Sequence, residues 1–316
     1  MSKKPLLFSL IILLLILCVL PASASELPFV KPDQDIVIPL AYEDLLFWER
    51  EQDDPYLEAP LPLEQDVPIL TVIAVDVGAK DCMILQCEGE SILLDCGDTG
   101  PNDLVARVIR QMGIDHFKAA INTHPHDDHL EAFPYILSMF PADTMYVCFP
   151  EDTDCYSRFL SREMAALGIP VVQLDIDQPM QLGAATLYFR QYTKKTDINK
   201  RSLIIQAVLG DRTILLTADA NAAFDELVVE YGEDAFQGDI LKAPHHGLNI
   251  LMGGLIRAAD MQAIFVTGYP WGDSGKDFRA QLVRIKFEAV YTVLGSVVMK
   301  TDGEKWIIAQ LPRELP

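Results

Sequence analysis

The sequence has 316 residues, 50% of them hydrophobic, which is enough apolar material for one large core or two modest ones. Its formal net charge at pH 7 is −21. Such a chain lacks the basic surface with which nucleic-acid-binding proteins neutralise phosphates, so this class of protein is disfavoured. A phosphodiester substrate stays open, because bound divalent cations reverse the sign of the charge locally.

The first residues have the layout of a secretory signal. Lys3 and Lys4 precede an apolar run, 6–20, and the small residues Ala22 and Ala24 follow. We therefore predict a signal peptide over residues 1–24 and a secreted or extracytoplasmic protein. The run is short for a membrane span, but an uncleaved N-terminal anchor is the alternative, and it would be the protein's only contact with a membrane. Cleavage would remove both lysines and change the charge from −21 to −23.

Residues 25–67 are rich in proline and acidic side chains and are expected to form a spacer or a strap on the folded domain. A short helix is predicted over 42–50. Its apolar residues, including Phe47 and Trp48, favour docking on the domain over a free linker.

A folded domain is predicted over residues 68–316. Short apolar or alternating runs separated by glycines predict strands, and apolar residues at helical spacing predict helices, the first with Asn102 as its cap. The predicted strands are 69–75, 82–87, 91–94, 119–121, 145–149, one near Val171, 185–192, 202–209, 213–216, 240–243, 263–266, 291–293, 297–300 and 306–309. The predicted helices are 102–112, 133–139, 156–167, 221–231 and 277–286. This alternation predicts an α+β fold with two sheets packed face to face between helical layers.

Three of the six histidines lie close together, directly after the predicted strand 119–121. If the chain is extended there, His124 and His126 project to the same side and can hold one metal ion. Asp128 and His129 follow as the chain turns, so they can hold a second ion. Neutral imidazoles with carboxylates suit zinc, or manganese or iron if the share of oxygen is higher.

Two other polar sites follow predicted strands. Asp219 comes after strand 213–216, where a carboxylate can bridge two cations about 3.5–4 Å apart. Its alternative role is to cap the helix that follows. His245 and His246 come after strand 240–243, where the alternative is a turn after the preceding proline.

Together these motifs resemble the metallo-β-lactamase superfamily, in the same order along the chain. They are Asp76-Val77-Gly78, Leu93-Leu94-Asp95-Cys96-Gly97, His124-Pro125-His126-Asp127-Asp128-His129, Leu216-Thr217-Ala218-Asp219 and Leu241-Lys242-Ala243-Pro244-His245-His246-Gly247. The branch that the chain most resembles is the hydrolase domain of ComEC-type competence proteins and their secreted relatives. The resemblance implies an αββα four-layer sandwich with a dinuclear metal site at one edge of the sheets.

The resemblance also implies a role for individual residues. The implied ligands are His124 and His126 for the first metal, Asp128, His129 and His246 for the second, and Asp219 between them. His245 would face the phosphate or the leaving group, although the order of the two histidines stays open. Asp95, and with it Asp81, would hold a ligand in position.

One ligand of many superfamily members is missing, because no histidine lies between His129 and His245. The competence branch has an asparagine followed by Ser-Leu in this region, and Asn199 with Ser202-Leu203 resembles it. The sequence therefore predicts a weakly held first metal.

These residues predict a secreted metal-dependent hydrolase, acting as a phosphodiesterase with two divalent ions, zinc or else manganese, that activate a water molecule. Asp128 would hold that water in line, and Lys242 or His245 would neutralise the developing negative charge. The alternative class is a non-catalytic, metal-holding binding module on the cell surface.

Two phosphodiester substrates compete. The competence resemblance implies single-stranded DNA, whereas the acidic charge favours a choline phosphodiester on a cell-wall polymer. Tyr269 or Trp271 could stack on its quaternary ammonium, although the favoured interpretation of Trp271 is a packed loop aromatic.

Overall fold

The computed structural model of the protein describes residues 37–39, 67–194 and 197–311. The strands are Val37–Pro39 (β1), Leu70–Ala74 (β2), Cys82–Cys87 (β3), Glu90–Cys96 (β4), Ala119–Asn122 (β5), Met145–Val147 (β6), Val171–Gln173 (β7), Met180–Leu182 (β8), Ala185–Arg190 (β9), Ile204–Leu209 (β10), Arg212–Leu216 (β11), Ile240–Lys242 (β12), Ala263–Val266 (β13), Ala289–Tyr291 (β14), Val297–Thr301 (β15) and Trp306–Gln310 (β16). The α-helices are Asn102–Gln111 (α1), Asp127–Leu130 (α2), Phe133–Met139 (α3), Cys155–Leu167 (α4), Phe224–Tyr231 (α5), Gly253–Ala259 (α6) and Lys276–Arg284 (α7). Short 3₁₀ turns cover Asn199–Arg201, Glu233–Phe236, Pro244–Gly247 and Thr292–Leu294.

Within the described residues the strands form two sheets. The nine-stranded sheet has the order β1-β16-β15-β2-β3-β4-β5-β6-β7, and the seven-stranded sheet has the order β14-β13-β12-β11-β10-β9-β8. In each sheet an antiparallel part gives way to a run of parallel strands, β4 to β7 in the first and β11 to β14 in the second. Each sheet therefore has one edge at which the carboxyl ends of several strands lie side by side.

Alternating side chains sort the apolar residues into layers. In β2, Leu70 and Val72 pack between the two sheets, whereas Ile73 and the following Val75 pack against helices α1 and α3 on the outer face. A third cluster joins the outer face of the smaller sheet to α5, α6 and α7. The order of layers is helix, sheet, sheet, helix, so the predicted αββα sandwich is confirmed.

Most predicted elements agree with the structure to within a few residues, but several details were wrong. Helices α2 and α6 and strand β8 were not predicted at all. Asn102 does not cap α1, since Pro101 occupies the cap position and the Asn102 amide donates to the carbonyl of Thr99. The strand predicted over 291–293 ends at Tyr291 and continues as a 3₁₀ turn.

The N-terminal segment contributes one strand to the described structure. Val37–Pro39 pairs in parallel with Trp306–Ile308 of β16, so this part of the segment lies against the domain. The predicted signal peptide, 1–24, and the predicted helix, 42–50, lie outside the described residues. Among the residues that the structure describes, no helix combines the length and apolar character needed to cross a membrane.

Candidate metal centre

The candidate site lies where the carboxyl ends of parallel strands from both sheets meet. Asp95 stands near the end of β4 and His124 follows β5 in the larger sheet, whereas Asp219 follows β11 and His245 follows β12 in the smaller one. Nε2 of His124 lies 3.6 Å from Oδ2 of Asp219, so the two sheet edges are in direct contact here.

One oxygen of Asp219 faces the imidazoles predicted to bind the second metal. Oδ1 lies 3.3 Å from Nε2 of His129 and 3.4 Å from Nε2 of His246. Asp128 completes this group, since its Oδ2 lies 3.2 Å from Nε2 of His246. Ligand atoms of Asp81, His129, Asp219 and His246 all lie within 4.8 Å of one another, a spacing that could hold a metal ion.

The other oxygen of Asp219 faces a different set of imidazoles. Oδ2 lies 3.6 Å from Nε2 of His124 and 3.6 Å from Nε2 of His245. Nδ1 of His126 lies 3.1 Å from Nε2 of His124, and these two histidines with Asp219 form the group predicted to hold the first metal. The six predicted metal ligands are thus brought together in two groups that share one carboxylate.

Asp95 lies behind His129 and holds its ring. Its Oδ2 lies 2.8 Å from Nδ1 of His129, while the backbone amide and hydroxyl of Thr123 donate to its two oxygens at 2.8 and 2.6 Å. Asn122 donates to it as well. The carboxylate therefore fixes a proton on Nδ1 of His129 and leaves Nε2 free to point into the site.

Lys242 lies in a different place from the one that its predicted role requires. Its side chain is completely buried, with Nζ 2.6 Å from Oδ2 of Asp81 and donating to the carbonyl oxygen of Ala218 at 2.8 Å. Nζ also lies 4.0 Å from Oδ1 of Asp219. The ammonium thus stands behind the carboxylates of the site, where it supports them electrostatically and does not reach a substrate.

The pKa values of the buried histidines are shifted in different directions by the charges around them. Burial opposes protonation of His129, but the carboxylates of Asp219 and Asp95 outweigh it and raise the pKa of His129 well above its usual value. Burial is likewise outweighed at His246, where Asp219 and Asp81 raise the pKa to about 9. His124 differs, because burial and the charge of His129 together lower its pKa well below the ordinary value.

The carboxylates of Asp219 and Asp81 are held in their ionised form. Burial would raise the pKa of Asp219, but His246 and His129 lower it well below the usual value. In the same way Lys242 and His246 outweigh burial and lower the pKa of Asp81. At Asp95 burial prevails and raises the pKa. The negative charge of the site therefore lies on Asp219 and Asp81, close to the imidazoles of both groups.

The donor atoms fit a divalent cation. Nε2 of His129, Nε2 of His246 and Oδ1 of Asp219 are all buried without a hydrogen-bond partner among the described residues. Buried polar atoms in proteins are rarely left unsatisfied, and three at one point are satisfied together by a cation. Imidazole nitrogens with carboxylate oxygens match the ligand preferences of zinc and manganese.

Besides Asn122, three residues that support the site were not predicted. Thr123 bonds Asp95 and lies 3.1 Å from Nδ1 of His124, Thr267 lies 3.1 Å from Nδ1 of His246, and Asn249 lies 2.9 Å from Nδ1 of His245. Thr267 directly follows β13, so its position at the end of a parallel strand was the signal that could have revealed it. The other predicted supporting residue, Asn199, lies 3.2 Å from Nε2 of His245.

The backbone at the site adopts conformations that are uncommon for residues other than glycine. Asp95, Ala218, His245 and His246 all have positive φ angles, between 43° and 53°. Such conformations concentrate at functional sites because the surrounding structure must hold them. Behind His246 the chain also passes very close to Gly268, where a Cβ atom would lie 2.0 Å from the His246 carbonyl oxygen.

Two cavities open beside the metal groups. One of 370 Å³ is lined by Asp128, His246, Tyr269 and Trp271, together with His245. The other, of 460 Å³, is lined by Asn199, Lys200, Asp219, Asn249 and Ile250, again with His245. His245 therefore stands between two spaces from which a substrate can approach.

A comparison of the sequence with models of protein families identifies the family of this chain. The sequence model of the Metallo-beta-lactamase superfamily matches residues 75–257, which contain every predicted metal ligand. The chain belongs to the metallo-β-lactamase superfamily. Members of this superfamily are generally metal-dependent hydrolases, and the two His/Asp groups indicate that this member binds divalent metal ions. The predicted superfamily membership is confirmed, whereas the resemblance to the competence branch stays a prediction.

Solved structures similar to this metallo-β-lactamase chain have low sequence identity to it. The metallo-β-lactamase fold protein YhfI from Bacillus subtilis is 14% identical with a TM-score of 0.45, and the match covers 70% of this chain and 95% of that one. A mutant of the CmlA beta-hydroxylase is 14% identical with a TM-score of 0.46, covering 74% of this chain and 54% of that one. A metallo-β-lactamase motif mutant from Cronobacter sakazakii is 16% identical with a TM-score of 0.35, covering 51% and 70%. No curated protein sequence matched the chain.

Proposed function

We propose that this chain is a metal-dependent phosphodiesterase with two divalent ions, zinc or else manganese. The observation that carries the proposal is the position of Asp219, whose Oδ1 faces His129 and whose Oδ2 faces His124. A carboxylate placed in this way would be shared by two divalent ions, and such a pair would suit the attacking and leaving oxygens of an in-line displacement. The resemblance to the hydrolase domain of competence proteins supports phosphorus as the reacting centre.

When bound, two divalent ions supply Lewis acidity, which lowers the pKa of water towards ~7 and polarises a phosphoryl oxygen. The chain supplies orientation and proton transfer. Asp128 is the site's most accessible carboxylate, with 32% of its side chain exposed towards the 370 Å³ cavity, so it can align a water molecule and accept its proton. Lys200 lines the neighbouring cavity beside Asp219, and we assign it the charge-neutralising role that the buried Lys242 cannot take.

Hydrolysis of bis-p-nitrophenyl phosphate tests the proposal. We expect turnover that a chelator abolishes and that zinc, manganese or cobalt restores. Asp219→Ala should lose turnover together with bound metal, because it removes the shared ligand of both groups. Asp143→Ala is the matched control, since Asp143 is exposed and pairs with His116 away from the site. Absence of chelator-sensitive turnover with all three metals would overturn the proposal and favour a metal-holding binding module.

A choline phosphodiester is the substrate that the rim of the site favours. Tyr269 and Trp271 are about half exposed, with ring centroids 5.5 Å apart, and both line the cavity that contains Asp128. An aromatic pair beside carboxylates suits a quaternary ammonium group, at roughly 0.5–2 kcal/mol per cation–π contact. A packed loop aromatic would be covered by its neighbours, and Trp271 is not.

Substrate competition separates the two phosphodiesters. Trp271→Ala should raise KM for p-nitrophenylphosphorylcholine several-fold while leaving KM for bis-p-nitrophenyl phosphate nearly unchanged. Cleavage of single-stranded DNA, if it is the activity, should instead fall steeply as salt is added. A KM for the choline ester that Trp271→Ala leaves unaltered, together with salt-sensitive DNA cleavage, would assign the enzyme to nucleic acid.

We also propose that the enzyme is exported, with contact to a membrane only if the N-terminal segment stays uncleaved. The supporting pattern is the basic start at Lys3 and Lys4, the apolar run and the small residues Ala22 and Ala24. N-terminal sequencing of the secreted form should begin at Ser25. A mature chain that retains Lys3 would point to an anchor.

A further inference from the structure

The first metal group is smaller than the second by one ligand. The second group has His129, His246 and Asp128 besides the shared carboxylate of Asp219, whereas the sequence prediction gave the first group only two imidazoles. We infer that His245 supplies the third imidazole of the first group, so that each metal is held by four protein atoms. The inference rests on the proposed function, because it concerns the same dinuclear centre.

The distances place His245 on the first group's side of Asp219. Its Nε2 lies 3.6 Å from Oδ2, the same distance from the same oxygen as Nε2 of His124. Two ligand atoms that share a tetrahedral zinc ion at 2.0–2.1 Å lie about 3.4 Å apart. Both contacts are close to this separation, so Oδ2 of Asp219 and either imidazole can share one ion. His245 lies outside the close group of His124, His126 and Asp219, so its ring has to turn towards them to bind the same ion.

The hydrogen bond at the far side of the ring leaves the correct nitrogen available. Nδ1 of His245 lies 2.9 Å from the side-chain oxygen of Asn249, which accepts a proton and therefore keeps it on Nδ1. The lone pair is then on Nε2, which faces Asp219. His129 has the same arrangement with Asp95, and His124 with Thr123. An orienting partner on the remote nitrogen is the usual support of a metal-binding histidine.

Asn199 contacts the nitrogen of His245 that carries the lone pair. Its amide nitrogen lies 3.2 Å from Nε2 of His245, so an N–H group of Asn199 can donate to this lone pair. The side-chain oxygen of Asn199 is buried without a hydrogen-bond partner among the described residues. A half-turn of this amide would bring its oxygen towards a cation at the same point.

The backbone explains why neighbouring histidines serve different metals. His245 has φ 50° and ψ 51°, and His246 has φ 53° and ψ 22°. The His245 amide donates to the carbonyl of Ala218 at 2.9 Å, which ties this turn to the residue before Asp219. Two left-handed residues in succession send the rings in different directions, with centroids 6.0 Å apart, so that His246 reaches Oδ1 and His245 reaches Oδ2.

Metal stoichiometry of His245→Asn tests the inference. Asparagine tolerates the left-handed backbone but is too short to reach the metal. By elemental analysis we expect about two ions per chain in the wild type and about one in His245→Asn. His116→Asn is the matched control and should keep two, because His116 is 45% exposed and pairs with Asp143 away from the site. Unfolding of the chelator-treated proteins should be equal for His245→Asn and wild type, which shows that the fold is intact.

A second variant keeps the test decisive if His245→Asn does not fold. Asn249→Ala leaves the imidazole in place but removes the acceptor of its Nδ1 proton. In a competition titration with a chelator, one of the two zinc sites should weaken by about 10–100-fold and the other should not change. Unchanged affinity at both sites would contradict the inference.

The outcomes separate this inference from the proposed function. If the wild type binds two ions and hydrolyses the phosphodiester, but His245→Asn retains both ions with unaltered affinity, only the inference fails and His245 faces the substrate. If the wild type binds no metal and shows no chelator-sensitive turnover, the proposed function fails, and the inference fails with it.

Discussion

The ammonium of Lys242 lies 2.6 Å from Oδ2 of Asp81, and both side chains are completely buried. Asp81 in turn lies 3.4 Å from Nδ1 of His246 through its other oxygen. This pair thus links the core of the smaller sheet to a predicted metal ligand. A buried ion pair contributes little net stability relative to apolar residues, but removing one partner leaves the other charge buried and uncompensated.

Lys242→Met should therefore destabilise the chelator-treated protein by about 3–5 kcal/mol, measured by urea unfolding. The matched control is Lys118→Met, because Lys118 forms an exposed pair with Glu90 and should cost no more than about 1 kcal/mol. The double variant Lys242→Met with Asp81→Asn should recover part of the loss, since the stranded charge is removed. Equal losses in the two lysine variants would show that the buried pair is not needed.

Asp95→Asn should weaken metal binding at the group that contains His129. The carboxylate accepts the proton of Nδ1 at 2.8 Å, and an amide cannot support the ring with a full negative charge. We expect a loss of about 10–100-fold in affinity at one site, measured by competition with a chelator. Asp98→Asn is the control, because Asp98 is partly exposed and pairs with Lys80. A loss at both sites would mean that Asp95 shapes the whole centre.

Metal affinity should rise with pH. The pKa of His246 is raised to about 9 by Asp219 and Asp81 against the effect of burial, so this imidazole is protonated at neutral pH before metal binds. A cation must displace that proton and also the proton of His129, whose pKa is raised as well. Each proton released corresponds to about a tenfold gain in affinity per pH unit while its imidazole stays protonated. Calorimetry in buffers of different ionisation enthalpy should detect the released protons. Affinity that does not vary with pH would contradict the protonated state.

The same shift acts on the stability of the chelator-treated protein, with the opposite sign. Because the folded pKa of His246 lies above the ordinary value of 6.5, protonation stabilises the fold fully below about pH 6.5. This contribution is lost as the pH rises through about 9. Urea unfolding at pH 6 and pH 9 should show the decrease, and His246→Gln should reduce it. An equal decrease in the variant would assign it to another group.

Gly268→Ala should disturb the second metal group through the backbone. A Cβ atom at this position would lie 2.0 Å from the carbonyl oxygen of His246, so the turn that carries His246 has to move. We expect a stability loss of about 1–3 kcal/mol, as for other overpacked sites, together with weaker metal binding at one site. Gly100→Ala is the control, because Gly100 is exposed and its nearest neighbour is a flexible carboxylate. Unchanged metal affinity would show that His246 adapts to the shift.

The sequence could predict the sandwich because its strands alternate cleanly and its helices have regular apolar spacing. Helix α6 escaped prediction because it begins with Gly253 and Gly254, which are poor helix formers. Its formation depends on tertiary contacts, including a hydrogen bond from the Gly254 amide to Asp225 of α5. A contact between elements that are far apart in the sequence produces no local sequence pattern from which the helix could be predicted.

The residues of the candidate site could be predicted from the sequence, but the directions of their side chains could not. The grouping of His124, His129 and Asp219 follows from strand ends that lie side by side. The direction of the Lys242 side chain does not, because β12 is only three residues long and is buried on both faces. The orientation of His245 depends on a left-handed backbone, which histidine adopts only when its surroundings impose it.

The pairing of β1 with β16 covers a strand that would otherwise lie at the edge of the larger sheet. β16 carries the buried apolar residues Trp306, Ile307 and Ile308, and its outer hydrogen-bonding edge is occupied by Val37–Pro39. An uncovered strand of this kind is a template on which a second molecule can add its own strand. β1 is a poor template in its turn, since it has only three residues and ends in a proline that has no amide hydrogen. A chain shortened to begin at residue 67 would keep the metal centre but expose the edge of β16, so its weakness would be aggregation.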